Sequence, residues 1–228
     1  MTSSSQTLSS HTVNLQTADI YYQFNFARFL EHLVDVVLTF TADTAAPSLW
    51  LPAWIPGSYL MREFSRNITA VHYKIIDNQA NEGDPNTEFY RAQKTDKNTW
   101  QLPQVRVGQH IQVHYEVYCY DLSVRTAYVD QQRLYGNFTS LALALDGQEH
   151  REVEVDLIVP TAFLANKDEC RMRLACGLKA TQSQDNKRQI YRLQADSYHE
   201  LIDYPFEIAE QDTFDFIIQE NSNQTLNH

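Results

Sequence analysis

The stretch HIQVHYEVYCY, residues 110–120, decides the fold class. Ile111, Val113, Tyr115, Val117 and Cys119 alternate strictly with His110, Gln112, His114, Glu116 and Tyr118. Successive side chains of an extended chain point to opposite faces, so the pattern predicts a strand with one buried face. It recurs in REVEVDLIV, residues 151–159, where Val153, Val155, Leu157 and Val159 face one way and Glu152, Glu154 and Asp156 mostly the other. Working outward, further strands are expected near 31–41, 48–54, 70–76, 98–102, 139–145, 188–194 and 213–218. Polar or turn-forming segments such as DNQANEGDPN (77–86) separate them. No long helical stripe competes. The reading is an all-β chain, a predominantly antiparallel β-sandwich or broad curved sheet with short helical turns. One β-rich domain is expected over 13–218, with frayed tails at 1–12 and 219–228.

Composition narrows the function classes. The chain has 228 residues, of which 43% are hydrophobic, enough for a substantial core. A formal net charge of -11 with no basic run excludes a phosphate backbone as the natural partner, since nucleic-acid affinity comes largely from Lys and Arg displacing counterions. The N-terminus MTSSSQTLSSHTVNLQ has neither the basic start nor the apolar core of a signal peptide, and no run of about 18 apolar residues marks a membrane span. Cys119, Cys170 and Cys176 are odd in number and lack CxxC spacing, which reads as free thiols in a reducing compartment. A cytoplasmic location, with no nucleic-acid and no membrane partner, is the expectation.

Motifs that could carry chemistry resolve into structure. SYHELIDYP (197–205) contains His-Glu, half of the zinc-protease pattern H-E-x-x-H, but Asp203 stands where the second histidine is needed. Ser197 with Glu200 three residues on is a capping box that opens one short helical turn, and Pro205 stops it. His110 and His114 share the i, i+4 spacing of a metal pair on a helix. On a strand they stand about 13 Å apart, too far for one zinc ion with ligands about 2 Å away. Two stretches remain dense in aromatic and polar residues: YDLSVRTAYVD (120–130), with Asp121, Arg125, Tyr128 and Asp130, and LYGNFTS (134–140), with Tyr135, Asn137 and Thr139. They are either turns with local hydrogen bonds or a surface that meets a partner.

Five islands together resemble one family. LPAWIPGSYLMREFSRN (51–67), KTDKNTW (94–100), YDLSVRTAYVD, YGNFTS (135–140) and ADSYHELIDYPFEI (195–208), in this order and spacing, are similar to the N-terminal region of the glycyl aminopeptidases. These are thermolysin-like zinc metallopeptidases that often carry a C-terminal PDZ domain. The resemblance implies a β-rich, saddle-like N-terminal domain followed by a catalytic domain that holds H-E-x-x-H and a later Glu ligand. Nothing in this sequence matches those zinc ligands, so no ligand or general base carries over. The expectation is a non-catalytic domain, a natural or truncated single-domain piece, with no cofactor of its own. Residues 219–228 then form a frayed tail or the start of a linker. Its expected partner is the catalytic thermolysin-like domain, with self-association through the face left exposed.

In that setting Pro52 and Pro56 stiffen the 51–67 loop and Gly57 permits its turn, so Tyr59, Arg62 and Glu63 project from it. With Asp121, Arg125, Tyr128, Asp130 and Asn137 they are the interdomain or substrate-cleft candidates. Trp54 and Tyr59 can equally be core residues. An independent β-sandwich module that binds a peptide or carbohydrate through the aromatic loops stays open beside this reading, as does an enzyme with an unrecognised site.

Overall fold

The computed structural model describes residues 18–54, 61–76, 88–165, 167–185 and 188–212. The tails expected at 1–12 and 219–228, the strand expected at 213–218, and Pro56, Gly57 and Tyr59 lie outside these residues. Among the described residues the architecture is all-β, with strands numbered β1–β16 in chain order. One large sheet runs β14 (Lys179–Asp185), β15 (Arg188–Ala195), β12 (Val153–Pro160), β1 (Ile20–Asn25), β2 (Leu33–Thr41), β8 (His110–Tyr118), β4 (Ile68–Ile76), β5 (Tyr90–Arg91). A second sheet runs β13 (Met172–Cys176), β16 (Phe206–Glu210), β10 (Arg133–Gly136), β9 (Ala127–Val129). A third runs β11 (Ala144–Leu145), β3 (Ser48–Trp50), β7 (Thr99–Gln101), β6 (Gln93–Asp96). Neighbours pair antiparallel except β1 and β12, which run parallel in the middle of the large sheet.

The alternation in 110–120 makes β8, and all five of its apolar residues are buried. Register carries that burial across the sheet. Leu193, Val155, Tyr22, Leu38, Val113 and Tyr73 are successive partners on six strands and all lie in the core. Buried residues from all three sheets form one continuous cluster. Through that core passes the segment Leu141–Ala142–Leu143, which has no ladder to satisfy its carbonyls. Three tyrosine hydroxyls replace the ladder: Tyr115 donates to Leu141 O (2.9 Å), Tyr198 to Ala142 O (2.8 Å) and Tyr22 to Leu143 O (2.6 Å). Burial pushes the Tyr22 and Tyr198 phenols well up, so they stay protonated donors.

The structure corrects the sequence reading in several places. Residues 139–145 are not one strand, because Asn137 caps a 3₁₀ turn, Phe138–Ser140, before the two residues of β11. The segments read as loops at 120–130 and 134–140 contain β9 and β10. Strands β1, β5, β6, β13, β14 and β16 went unread. The alternation of 151–159 predicts one polar face, yet β12 is buried on both faces, Glu154 and Asp156 included. Arg192 on the neighbouring strand explains the exception. Its guanidinium donates to both oxygens of Asp156 (2.7 and 2.8 Å) and lies 3.1 Å from Glu154, while the Tyr21 hydroxyl donates to Asp156 at 2.5 Å.

Among the described residues the helical content is two short α-helices, α1 (Thr161–Leu164) and α2 (Tyr198–Asp203), and 3₁₀ turns. At α2 the Ser197 hydroxyl accepts from Glu200 N–H (3.1 Å), and the Glu200 carboxylate accepts from Asp196 N–H (2.5 Å). No helix among the described residues is long and apolar enough to cross a membrane.

Candidate functional site

Two of the stretches singled out in the sequence meet around a cleft of about 350 Å³. One segment supplies Met61, Arg62, Glu63, Phe64, Arg66 and Asn67; the other supplies Asp121 and Thr126. Local chemistry fixes both. Phe64 and Ser65 are buried in the 3₁₀ turn Phe64–Asn67, Ser65 Oγ donates to Lys97 O (2.9 Å), and Arg62 N–H donates to Ala53 O (2.6 Å). In the second segment the Thr126 hydroxyl sits 2.6 Å from Asp121 O and 3.1 Å from Ser123 O. The Tyr135 hydroxyl and the Asn137 amide both donate to Val124 O (2.7 and 3.2 Å).

A loop whose backbone carbonyls are satisfied in this way by Thr126, Tyr135 and Asn137 presents its remaining side chains outward without needing them for its fold. Leu122 and Val124 are 71% and 75% exposed, and Met61 in the facing segment is 74% exposed. Next to them His32 and Tyr120 rings lie 3.9 Å apart, and Tyr120 stacks on Tyr128 at 5.0 Å. His32 is anchored by a 2.6 Å contact of Nδ1 with Val129 O, in which the ring N–H donates to the carbonyl. The hydrogen bond with the Tyr120 hydroxyl first, then desolvation, and after these the nearby Asp130, hold the Tyr128 phenol above its ordinary range. Trp54 is half exposed, so it is not a core residue.

The site residues expected from sequence divide into two groups. Arg62, Glu63 and Asp121 share the cleft, and Arg125 and Tyr128 lie along the same loop and β9. Asp130 and Asn137 instead hold backbone. The Asp130 carboxylate accepts from Gln132 and Arg133 N–H (2.7 and 2.9 Å), and the Asn137 side chain accepts from Thr139 N–H (3.0 Å). Met61, Arg66, Leu122 and Val124 were missed. The signal available for the apolar three was an exposed-loop position filled by a large hydrophobe, which is legible only once the loop is known to be self-satisfied.

His199 and Glu200 do not fit a zinc site. His199 is exposed, the residue one helical turn on is Asp203, and Glu200 is committed to its cap. Among the described residues no group of three or more His, Cys, Asp or Glu is placed to hold a metal ion. The buried Glu154 and Asp156 are held by Arg192.

Comparison with known proteins gives the fold its lineage. The Peptidase M61 N-terminal domain family matches residues 21–210. An aminopeptidase N family protein from Idiomarina loihiensis is 35% identical, with a TM-score of 0.71 over 87% of this chain and 30% of that one. An M1 zinc metallopeptidase from Deinococcus radiodurans is 13% identical, with a TM-score of 0.40 over 85% of this chain and 43% of that one. The chain therefore spans less than half the length of either structure. No curated protein matches it. The islands around the cleft and the three-sheet core fall within the matched span, and the chain belongs to the Peptidase M61 N-terminal domain family.

Proposed function

We propose that the chain is the non-catalytic N-terminal β domain of a glycyl-aminopeptidase-like zinc metallopeptidase. In this reading it packs on the thermolysin-like catalytic domain and helps to shape that domain's substrate cleft. The observation that carries the reading is the rim of Met61, Leu122 and Val124, each more than two-thirds exposed, beside the polar cleft and the Tyr120–Tyr128 stack. Large apolar side chains on a backbone-locked loop are what a docking face needs, because they lose little freedom on binding and bury much area. Zinc and the general base then come from the catalytic domain, and this chain alone has no peptidase activity. The same face, when uncovered, promotes self-association. Free thiols at Cys119, Cys170 and Cys176 support a cytoplasmic setting.

The test is association of the 228-residue chain with the separately produced catalytic domain of the parent peptidase. Arg125→Ala and the pair Leu122→Ser with Val124→Ser should each weaken binding, Arg125→Ala by about 1–3 kcal/mol if it is a central contact. Tyr59→Ala extends the same test to the sequence that precedes Met61. Unchanged binding in all of them, with circular dichroism intact, places the interface elsewhere.

A further inference from the structure

We infer that the cleft between the 61–67 segment and the 121–126 loop binds the carboxylate of a peptide. The inference rests on the proposed two-domain reading only for the identity of the peptide as substrate; the binding itself is a property of this chain.

The charge balance of the cleft is the first argument. Of its two acids, Glu63 faces Lys97 at 3.7 Å, which leaves Asp121 against two guanidinium groups, Arg62 and Arg66. Among the described residues neither arginine lies within ion-pair distance of a carboxylate; Arg91, Arg106, Arg125 and Arg173 share that state, but Arg62 and Arg66 line one cleft together. The second argument is a donor without an acceptor. Arg62 Nε is buried and has no hydrogen-bond partner among the described residues. A buried N–H left unpaired is costly, and a guanidinium offers its donors as a planar fork that matches a carboxylate.

The remaining lining suits an extended peptide next to that anchor. Asn67 offers an amide, Asp121 an acceptor for peptide N–H groups, and Met61 and Phe64 an apolar flank. A volume of about 350 Å³ is at the lower end for ligand sites, which fits two or three small residues. If the peptide is substrate, a fixed carboxylate anchor favours short peptides over long ones.

The experiment is a titration of the 228-residue chain with three probes, followed by NMR at the Asn67 and Thr126 amides. Trialanine carries a terminal carboxylate, trialanine amide carries none, and N-acetylglutamic acid α-amide carries only a side-chain carboxylate. Saturable shifts with trialanine and none with its amide are expected. Arg62→Met and Arg66→Met, with unchanged circular dichroism, should each weaken trialanine by about tenfold or more, the scale of a hydrogen bond to a charged group. Shifts with N-acetylglutamic acid α-amide alone support the carboxylate site and assign its ligand to an acidic side chain. Equal binding of trialanine and its amide, no response to any probe, or wild-type binding in both arginine variants overturns the inference. A wild-type chain that binds none of the probes yet associates with the catalytic domain refutes this inference alone.

Discussion

Replacement of Arg192 by Met should be among the most damaging single changes available outside the apolar core. The side chains of Glu154 and Asp156 are each only 4% exposed, and Arg192 is the cation that faces both. Its pair of hydrogen bonds to Asp156 at 2.7 and 2.8 Å is bidentate, and the two carboxylates make its own proton harder to remove. Methionine keeps most of the volume but leaves two buried carboxylates beside each other, with Glu154 Oε2 already lacking a partner. Breaking a buried pair by removing one member costs about 3–5 kcal/mol. Because Arg192 is 39% exposed and partly screened, the lower end, about 3 kcal/mol, is the expected loss.

Thermal and urea unfolding followed by circular dichroism measure that loss. A domain of this size loses about 2–4 °C per kcal/mol, so the midpoint should fall by about 6–12 °C. The reasoning has a stricter check in the double variant. If the loss comes from uncompensated charge, Asp156→Asn in the Arg192→Met background should restore part of the stability, although Asp156→Asn alone destabilises. A loss under about 1 kcal/mol for Arg192→Met, near the median for exposed pairs, would refute the account. So would simple additivity of the two changes.

Two further outcomes follow from local geometry. His114 is held down at about 4 by burial first, then by Lys74 and by His72 across the strand pair. The unfolded chain therefore takes up a proton below about 6.5 that the folded chain refuses until about pH 4. Stability should fall as pH drops through that window, and His114→Gln should flatten the dependence there; an unchanged profile in the variant would assign it to other groups. At Gly136 in β10, an added Cβ would lie 2.6 Å from both Leu141 Cδ1 and Phe206 Cζ, and Phe206 is already packed on Phe138 and Phe26. Gly136→Ala should cost about 1–3 kcal/mol by overpacking, read by urea denaturation; a neutral result would mean that the aromatic cluster can shift.

How much of the fold was legible depended on whether one face of a strand is wet. In β8 the outward residues are His110, Gln112, His114, Glu116 and Tyr118, so period two stands out in the letters. In β1 it does not. Ile20, Tyr22 and Phe24 alternate with Gln23 and Asn25, but Tyr21, buried over Asp156, breaks the pattern and leaves IYYQFN too short to read. β12 shows the opposite failure: its letters alternate cleanly, yet the polar set is buried because Arg192 arrives from β15, 36 residues further along the chain. A pattern within one strand cannot report what its neighbour supplies. The parallel pairing of β1 with β12 was hidden for the same reason, since register between strands more than a hundred residues apart has no local signature.

The candidate site was legible as a pair of stretches but not as a division of labour. Asp121, Arg125, Tyr128, Asp130 and Asn137 look alike in sequence, polar or aromatic residues crowded near turns. The structure separates them by asking where each side chain's hydrogen bonds go. Asp130 and Asn137 spend theirs on backbone N–H groups and on Val124 O, and in doing so they make the loop rigid. Asp121 contributes mainly its carbonyl to the loop, through Thr126, and its carboxylate remains available to the cleft. Rigidity in the first group is therefore what gives the second its reach, and it explains why Leu122 and Val124 can stay exposed without the loop collapsing onto them. The same accounting carries a consequence for variants. Substitution of Asn137 should disorder the loop and abolish any binding indirectly, whereas substitution of Arg62 should abolish carboxylate binding and leave the loop's hydrogen bonds intact. The two are separable by whether the amide signals of residues 123–126 move.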